Sequence, residues 1–231
     1  MNSRVQIWMN NSINPTKTLS NGVYYPYALF VNDNGDIFVD NGYYGRRVDK
    51  FAFNSNTSVS VMRVNSSLIK KWLNDNTNKT VIAAGTGIAG TTSYHLYAPN
   101  GIFVDINFDL YVADCYNNRI QLFRSGRLNG TTVVGAASLN TTILLYGPTS
   151  IILDIDKYPF VADQYNQRIV GSGPNGFRCL FGCSGSYGSN ANQLNYPTTL
   201  SFDSYGNLYV TDKDNSRVQK FSLATNFNGN D

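Results

Sequence analysis

Glutamate is missing from this 231-residue chain: all 15 acidic side chains are aspartate. Histidine occurs once, as His95, in the loop-like segment TTSYHLYAP. Zinc catalysis normally draws three protein ligands, and a Ser-His-Asp or Cys-His nucleophile would have to rest on that single imidazole. Both chemistries are therefore disfavoured. No apolar run approaches the roughly 20 residues of a membrane-spanning helix, and the N-terminal MNSRVQIW has neither the charged nor the apolar part of a signal peptide. One-signed charge is also lacking. The formal net charge is +3 and the 18 Lys and Arg are spread along the chain, which gives little electrostatic drive toward nucleic acid. The segment Gly85 to Gly90 (GTGIAG) lacks the Gly-Lys-Ser/Thr ending of a phosphate loop and reads as a connection. Of three cysteines, Cys179 and Cys183 sit four apart in a Gly-rich stretch they are able to staple, leaving Cys115 over.

What is present is a repeated phrase. Its clearest copy is YPTTLSFDSYGNLYVTDKDNSRVQKF, residues 196–221, and the others occupy 25–51, 98–123 and 147–172. The arginine near the end of each copy falls at Arg47, Arg119, Arg168 and Arg217, spaced 72, 49 and 49 residues apart. Within a copy, apolar residues alternate over two short runs separated by a polar turn, which is the pattern of a β-hairpin. A second turn (DCYNNR, DQYNQR, DKDNSR) leads to a third strand, and Thr80 to Ala84 and Thr131 to Gly135 read as fourth strands. Gly35 and Gly206 suit the first turn, where positive φ is cheap for glycine. Two copies carry Phe108 and Lys157 there, so a different turn is expected in them. Short strands repeating at this period predict an all-β propeller of the six-bladed type. Four of its blades are expected to be complete and two truncated, because strand endings at Arg4 to Trp8 and Leu68 to Trp72 lack full beginnings. The whole chain, 1–231, reads as one domain with partial repeats at 1–24 and 52–97. Ring closure is expected to draw on flanking sequence.

The phrase resembles the NHL repeat. Pro99, Asp105, Asp114, Asn117, Arg119 and Ile120 carry the resemblance in one copy, and Pro197, Asp203, Asp212, Asn215, Arg217 and Val218 in another. The first copy departs from it, with two extra residues between Asp40 and Arg47 and Gly45 in place of Asn. The resemblance implies a six-bladed propeller of the TolB-like kind, serving as an interaction surface or extracellular sensor. Propellers resembling this one also include metal-dependent hydrolases and lyases, whose Glu and His ligands are lacking here, and the interaction domains of intracellular ubiquitin ligases.

Residues repeated in every blade are expected to be scaffold. That covers Asp114, Arg119, Asp163, Arg168, Asp212 and Arg217, each Asp five residues before its Arg across one turn. Acidic turns such as Asp154-Ile155-Asp156 and Asp212-Lys213-Asp214-Asn215 offer calcium oxygen ligands, but Asp and Asn are equally what β-turns want, and no cofactor is expected. Recognition is expected from aromatic residues in variable loops, Tyr43, Tyr44, Tyr94 and Tyr187, set among Gly, Ser and Asn. Sequons at Asn10, Asn56, Asn65, Asn78, Asn129 and Asn140 all lie outside the repeated phrases and point to a glycosylated, extracellular setting. The resulting expectation is a non-catalytic module binding a protein or a small extracellular ligand.

Overall fold

Alternation of apolar and polar residues sends neighbouring side chains to opposite faces of a strand. In the computed structural model this alternation produces short antiparallel meanders. The structure describes residues 67–72, 80–138 and 143–222, with side chains for 67–69, 82–138 and 143–222; in the first 66 residues it describes the strand backbones alone. The chain forms two units, Met1–Ser66 and Ser67–Asp231. In the first, β1 (Val5–Ile7) pairs with β2 (Lys17–Leu19). A four-stranded meander follows from β3 (Ala28–Val31), β4 (Ile37–Asp40), β5 (Arg47–Phe51) and β6 (Ser58–Arg63). The expected turn at Gly35, the insertion around Gly45, Tyr43, Tyr44 and the sequons at Asn10, Asn56, Asn65, Asn78 and Asn140 lie outside the described residues.

In the second unit, β7 (Leu68–Trp72) and β8 (Thr80–Gly85) form a two-stranded sheet. Two four-stranded meanders come next: β9 (Ile102–Val104), β10 (Leu110–Asp114), β11 (Arg119–Phe123) and β12 (Thr131–Gly135), then β13 (Pro148–Leu153), β14 (Pro159–Asp163), β15 (Arg168–Gly173) and β16 (Gly176–Phe181). A third meander has three described strands, β17 (Pro197–Phe202), β18 (Leu208–Asp212) and β19 (Arg217–Phe221).

Successive sheets bury their faces against each other. On β10, Leu110 and Val112 join Ala84 and Leu96 on one side, while Ala113 on the other side meets Ile151, Val161 and Val170 of the next meander. On β14, Val161 faces back into that cluster, whereas Phe160 and Ala162 face forward onto Leu200, Leu208 and Val210. β10 and β14 are thus apolar on both faces. Burying one such side chain stabilises by about 1.5–3 kcal/mol.

The first turn of each repeat corrects the expectation that two of them would differ. Asp105, Asp154 and Asp203 follow the first strand of three successive sheets, and each accepts at its carbonyl from the amide three residues on: Phe108, Lys157 and Gly206. Those three residues have φ of +61°, +65° and +78°. One turn geometry is imposed by the aspartate side chain, whose Oδ1 accepts from the amide four residues on in all three. The pairing of the flanking strands then leaves Phe108 and Lys157 no alternative to the left-handed region. For exposed Lys157, relieving about 1–2 kcal/mol of such strain outweighs glycine's entropic cost of about 0.5–1 kcal/mol. Lys157→Gly is therefore expected to raise stability by about 0.5–1 kcal/mol, seen as a higher urea midpoint at unchanged slope.

Candidate functional site

The rim carrying the turns between second and third strands is built on one polar unit repeated three times. Its aspartate ends the second strand at Asp114, Asp163 or Asp212, fully buried in each case. Oδ1 accepts a backbone N–H from the incoming linker, donated by Tyr97, Tyr146 and Asn195, at 2.6 Å every time. Oδ2 accepts from an asparagine (Asn117, Asn166, Asn215) and from an arginine Nε (Arg119, Arg168, Arg217) at 2.7–2.9 Å. Each arginine then reaches over the linker. Arg119 donates to the carbonyls of Thr91, Thr92 and His95, Arg217 to those of Ser189, Asn190 and Gln193, and Arg168 to that of Leu144.

Burial has different outcomes at Asp163 and Asp212. It pushes Asp163 above its ordinary range in spite of the bonds from Tyr146, Asn166 and Arg168. In the last sheet, burial also raises Asp212, but the bonds from Asn215, the Asn195 amide and Arg217 prevail and hold it below that range.

The linker so clamped is also stapled by a leucine. Leu96, Leu145 and Leu194, each one residue beyond the carbonyl that the arginine or Leu144 contact marks, are buried at 0%, 5% and 0% exposure. These leucines do not stand out in the repeated phrase, because they precede it. Their signal is a fixed offset of 23 residues before the arginine, legible only once the arginines are aligned.

On this frame five tyrosines form a pair and a trio. Tyr97 meets Tyr116 with ring centroids 5.1 Å apart, Tyr146 meets Tyr165 at 5.1 Å, and Tyr165 meets Tyr196 at 5.9 Å. The rings are steeply inclined to one another, at 73°, 61° and 76°, the edge-to-face arrangement aromatic quadrupoles favour. Burial raises the Tyr165 hydroxyl above its ordinary value, with further contributions from Cys115, Tyr116, Tyr196 and Tyr146. All five remain 36–56% exposed. Among the described residues none of their hydroxyls has a hydrogen-bond partner in the protein. Tyr196 holds its ring there from a left-handed backbone, φ +52°, with its amide donating to Gln167 Oε1. A side chain at Gly147 would strike the Tyr165 ring.

The tyrosines expected from composition lie elsewhere. Tyr94 and Tyr187 are exposed on clamped linkers, but neither joins the five-ring ledge. His95 serves through its carbonyl, which takes donors from Arg119 and Gln121, while its Nδ1 lies 2.6 Å from Thr92 Oγ1. The acidic turns use their oxygens locally: Asp154 Oδ1 accepts from the Tyr158 amide and Asp212 is spent on the clamp. Among the described residues no three His, Cys or Asp side chains converge as a metal site would need.

Cys179 and Cys183 are bonded, Sγ to Sγ at 2.10 Å, across the end of β16. Cys115 is buried beneath the ledge, where burial first and then the Asp114 charge push its thiol up to about 11. Since the thiolate is the reactive form, Cys115 is expected to resist a disulfide-exchange reagent at pH 8 in the native protein and to react promptly in urea. Native labelling as fast as in urea would contradict its burial.

Meanders stacked face to face, each running through three or four described strands in order, define a fold of the β-propeller type. Residues 194–221 match the model of the NHL repeat. No curated protein sequence matches it. Among solved structures it is similar to a structural genomics protein of unknown function from Bacteroides thetaiotaomicron, at 15% identity and a TM-score of 0.60, covering 82% of this chain. The chain spans 52% of that protein's length. It is also similar to virginiamycin B lyase from Staphylococcus aureus, at 14% identity and a TM-score of 0.48, covering 87% of this chain and 70% of the other. Such a fold serves in general as a binding or scaffold module. No helix among the described residues is long and apolar enough to cross a membrane.

Proposed function

We propose that this propeller is a non-catalytic recognition module that binds a protein or small ligand through the tyrosine rim, outside the cell. The observation that carries the reading is the ledge itself: five exposed rings, a pair and a trio, with free hydroxyls on backbone that three successive sheets clamp. Tyrosine supplies large, rigid, amphipathic contact area with little rotamer entropy to lose, the property recognition surfaces exploit. Nucleic acid fits poorly, because the linkers and turns of this rim present no concentration of positive charge. Among the described sequons, Asn129 is exposed between β11 and β12 and open to modification.

Two measurements test the reading. A thermal-shift screen against soluble peptides and oligosaccharides should yield ligands that stabilise the wild type. A ligand present at about 100 times its Kd stabilises by about 2.7 kcal/mol, and this gain should vanish in Tyr116→Ala/Tyr146→Ala. Hits indifferent to those substitutions, or none at all, would sink the rim as the binding site. For localisation, secretory expression should give intact-mass evidence of a glycan at Asn129, and an unmodified Asn129 counts against an extracellular setting.

A further inference from the structure

The ledge differs from a generic sticky patch in its charge balance. The linkers 86–101 and 182–196 contain no Asp, Lys or Arg. In the three turns, Asp114, Asp163 and Asp212 are each spent on Arg119, Arg168 and Arg217, and the two remaining charges, Lys213 and Asp214, lie 4.0 Å apart. A charged ligand would find no unmatched counter-charge among these groups and would lose hydration without compensation. The site therefore fits a ligand that is itself uncharged.

Ring geometry narrows the class. Flat, coplanar rings would offer broad faces for stacking a sugar. Here the rings stand at 61–76° to one another around Tyr165, with centroids 5.1 and 5.9 Å apart, so adjoining rings enclose ridges and notches. Proline-rich segments dock into grooves lined this way. Their pyrrolidine rings enter the notches, and their carbonyls, which have no internal hydrogen bonds in the polyproline II helix, accept from donors along the rim. Five tyrosine hydroxyls without a protein partner are such donors. The chain of clamps beneath also fixes the rings beforehand, and a polyproline II segment is equally pre-ordered, so little conformational entropy opposes their association.

We propose that the tyrosine ledge of Tyr97, Tyr116, Tyr146, Tyr165 and Tyr196 binds an uncharged, proline-rich segment in the polyproline II conformation. This rests on the rim being the binding surface and names its partner's chemistry. The probe is decaproline with blocked termini, titrated into the full chain by isothermal calorimetry and by amide NMR, with cellohexaose as a neutral oligosaccharide in parallel. Saturable decaproline binding is expected, with shifts confined to residues 97, 115–118, 146–147, 164–167 and 196. The affinity should be nearly the same at low and high salt, because no charges pair across the contact. Tyr165→Ala should weaken it at least about tenfold, as loss of a central aromatic anchor does. Should that variant fold poorly, Tyr116→Phe/Tyr146→Phe keeps the rings and should still weaken binding severalfold through the lost hydroxyls. Cellohexaose binding with the same tyrosine dependence, and none by decaproline, would overturn the polyproline assignment while leaving the rim as the binding surface. Binding of neither also overturns it, and the library screen then decides the rim separately. A steep fall in decaproline affinity with salt would overturn it as well.

Discussion

Asp114→Ala is expected to cost about 3–5 kcal/mol, the loss that follows when one partner of a buried ion pair is removed and the other stays buried. Arg119 is only 3% exposed. The same change strands the Tyr97 amide and the Asn117 side chain, which both donate to Asp114. Asp212→Ala is the natural control. Its partner Arg217 has a side chain 30% exposed, so the freed guanidinium can rehydrate, and about 1–3 kcal/mol is expected from the unsatisfied groups alone. Replacing both Asp114 and Arg119 by apolar residues should not restore stability, because Arg119 also satisfies the carbonyls of Thr91, Thr92 and His95. Equilibrium urea unfolding of the variants checks the order. Equal losses at Asp114 and Asp212 would mean that burial of the partner does not set the cost.

Gly135→Ala is expected to be nearly as damaging, at about 3 kcal/mol. Gly135 ends β12 opposite Arg119, beyond a register shift between Ile120 and Gln121, with φ of +94°. An added Cβ would collide with the Asn118 carbonyl and approach Arg119 Cα to 2.9 Å, both of them backbone atoms. Left-handed strain of about 1–2 kcal/mol adds to overpacking of about 1–3 kcal/mol, and the neighbour that must yield carries the clamp. Gly85 and Gly182 stand in the same situation in the flanking sheets, against Ser67 and Gln167. By contrast Gly126, on a hairpin tip with φ +75° and open space around it, should lose only the strain on substitution to alanine. A thermal melt in which the Gly126 and Gly135 variants fell equally would remove the steric part of this account.

The strands and their order could be read from the chain because each repeat alternates with period two and restarts at an arginine. The Asp–Arg pairing was legible for the same reason, since five residues across one turn leave the two side chains facing. Three features were hidden. The glycines at 85, 135 and 182 stand at unequal distances from their partner strands because the hairpins between third and fourth strands vary in length, so no fixed offset marks them. The turns at Phe108 and Lys157 obey the aspartate before them rather than their own propensity. The ledge was missed because its five tyrosines come from linkers and turns of different repeats, and a loop rich in Gly, Ser and Tyr, such as the one holding Tyr187, looks more like a contact surface than a lone tyrosine after a clamped leucine.

Backbone bonds tie each linker to the turn of its own sheet: Tyr116 N–H to the Tyr97 carbonyl, Tyr165 N–H to that of Tyr146, and Asp214 N–H to that of Asn195, at 3.0–3.1 Å. The last of these has the same geometry although neither residue is aromatic. What the surface displays is therefore uncoupled from what holds it in place. Ligand preference can drift one sheet at a time without unfolding the protein, and installing tyrosine at Asn195 and Asp214 should lengthen the row of rings as a graft would.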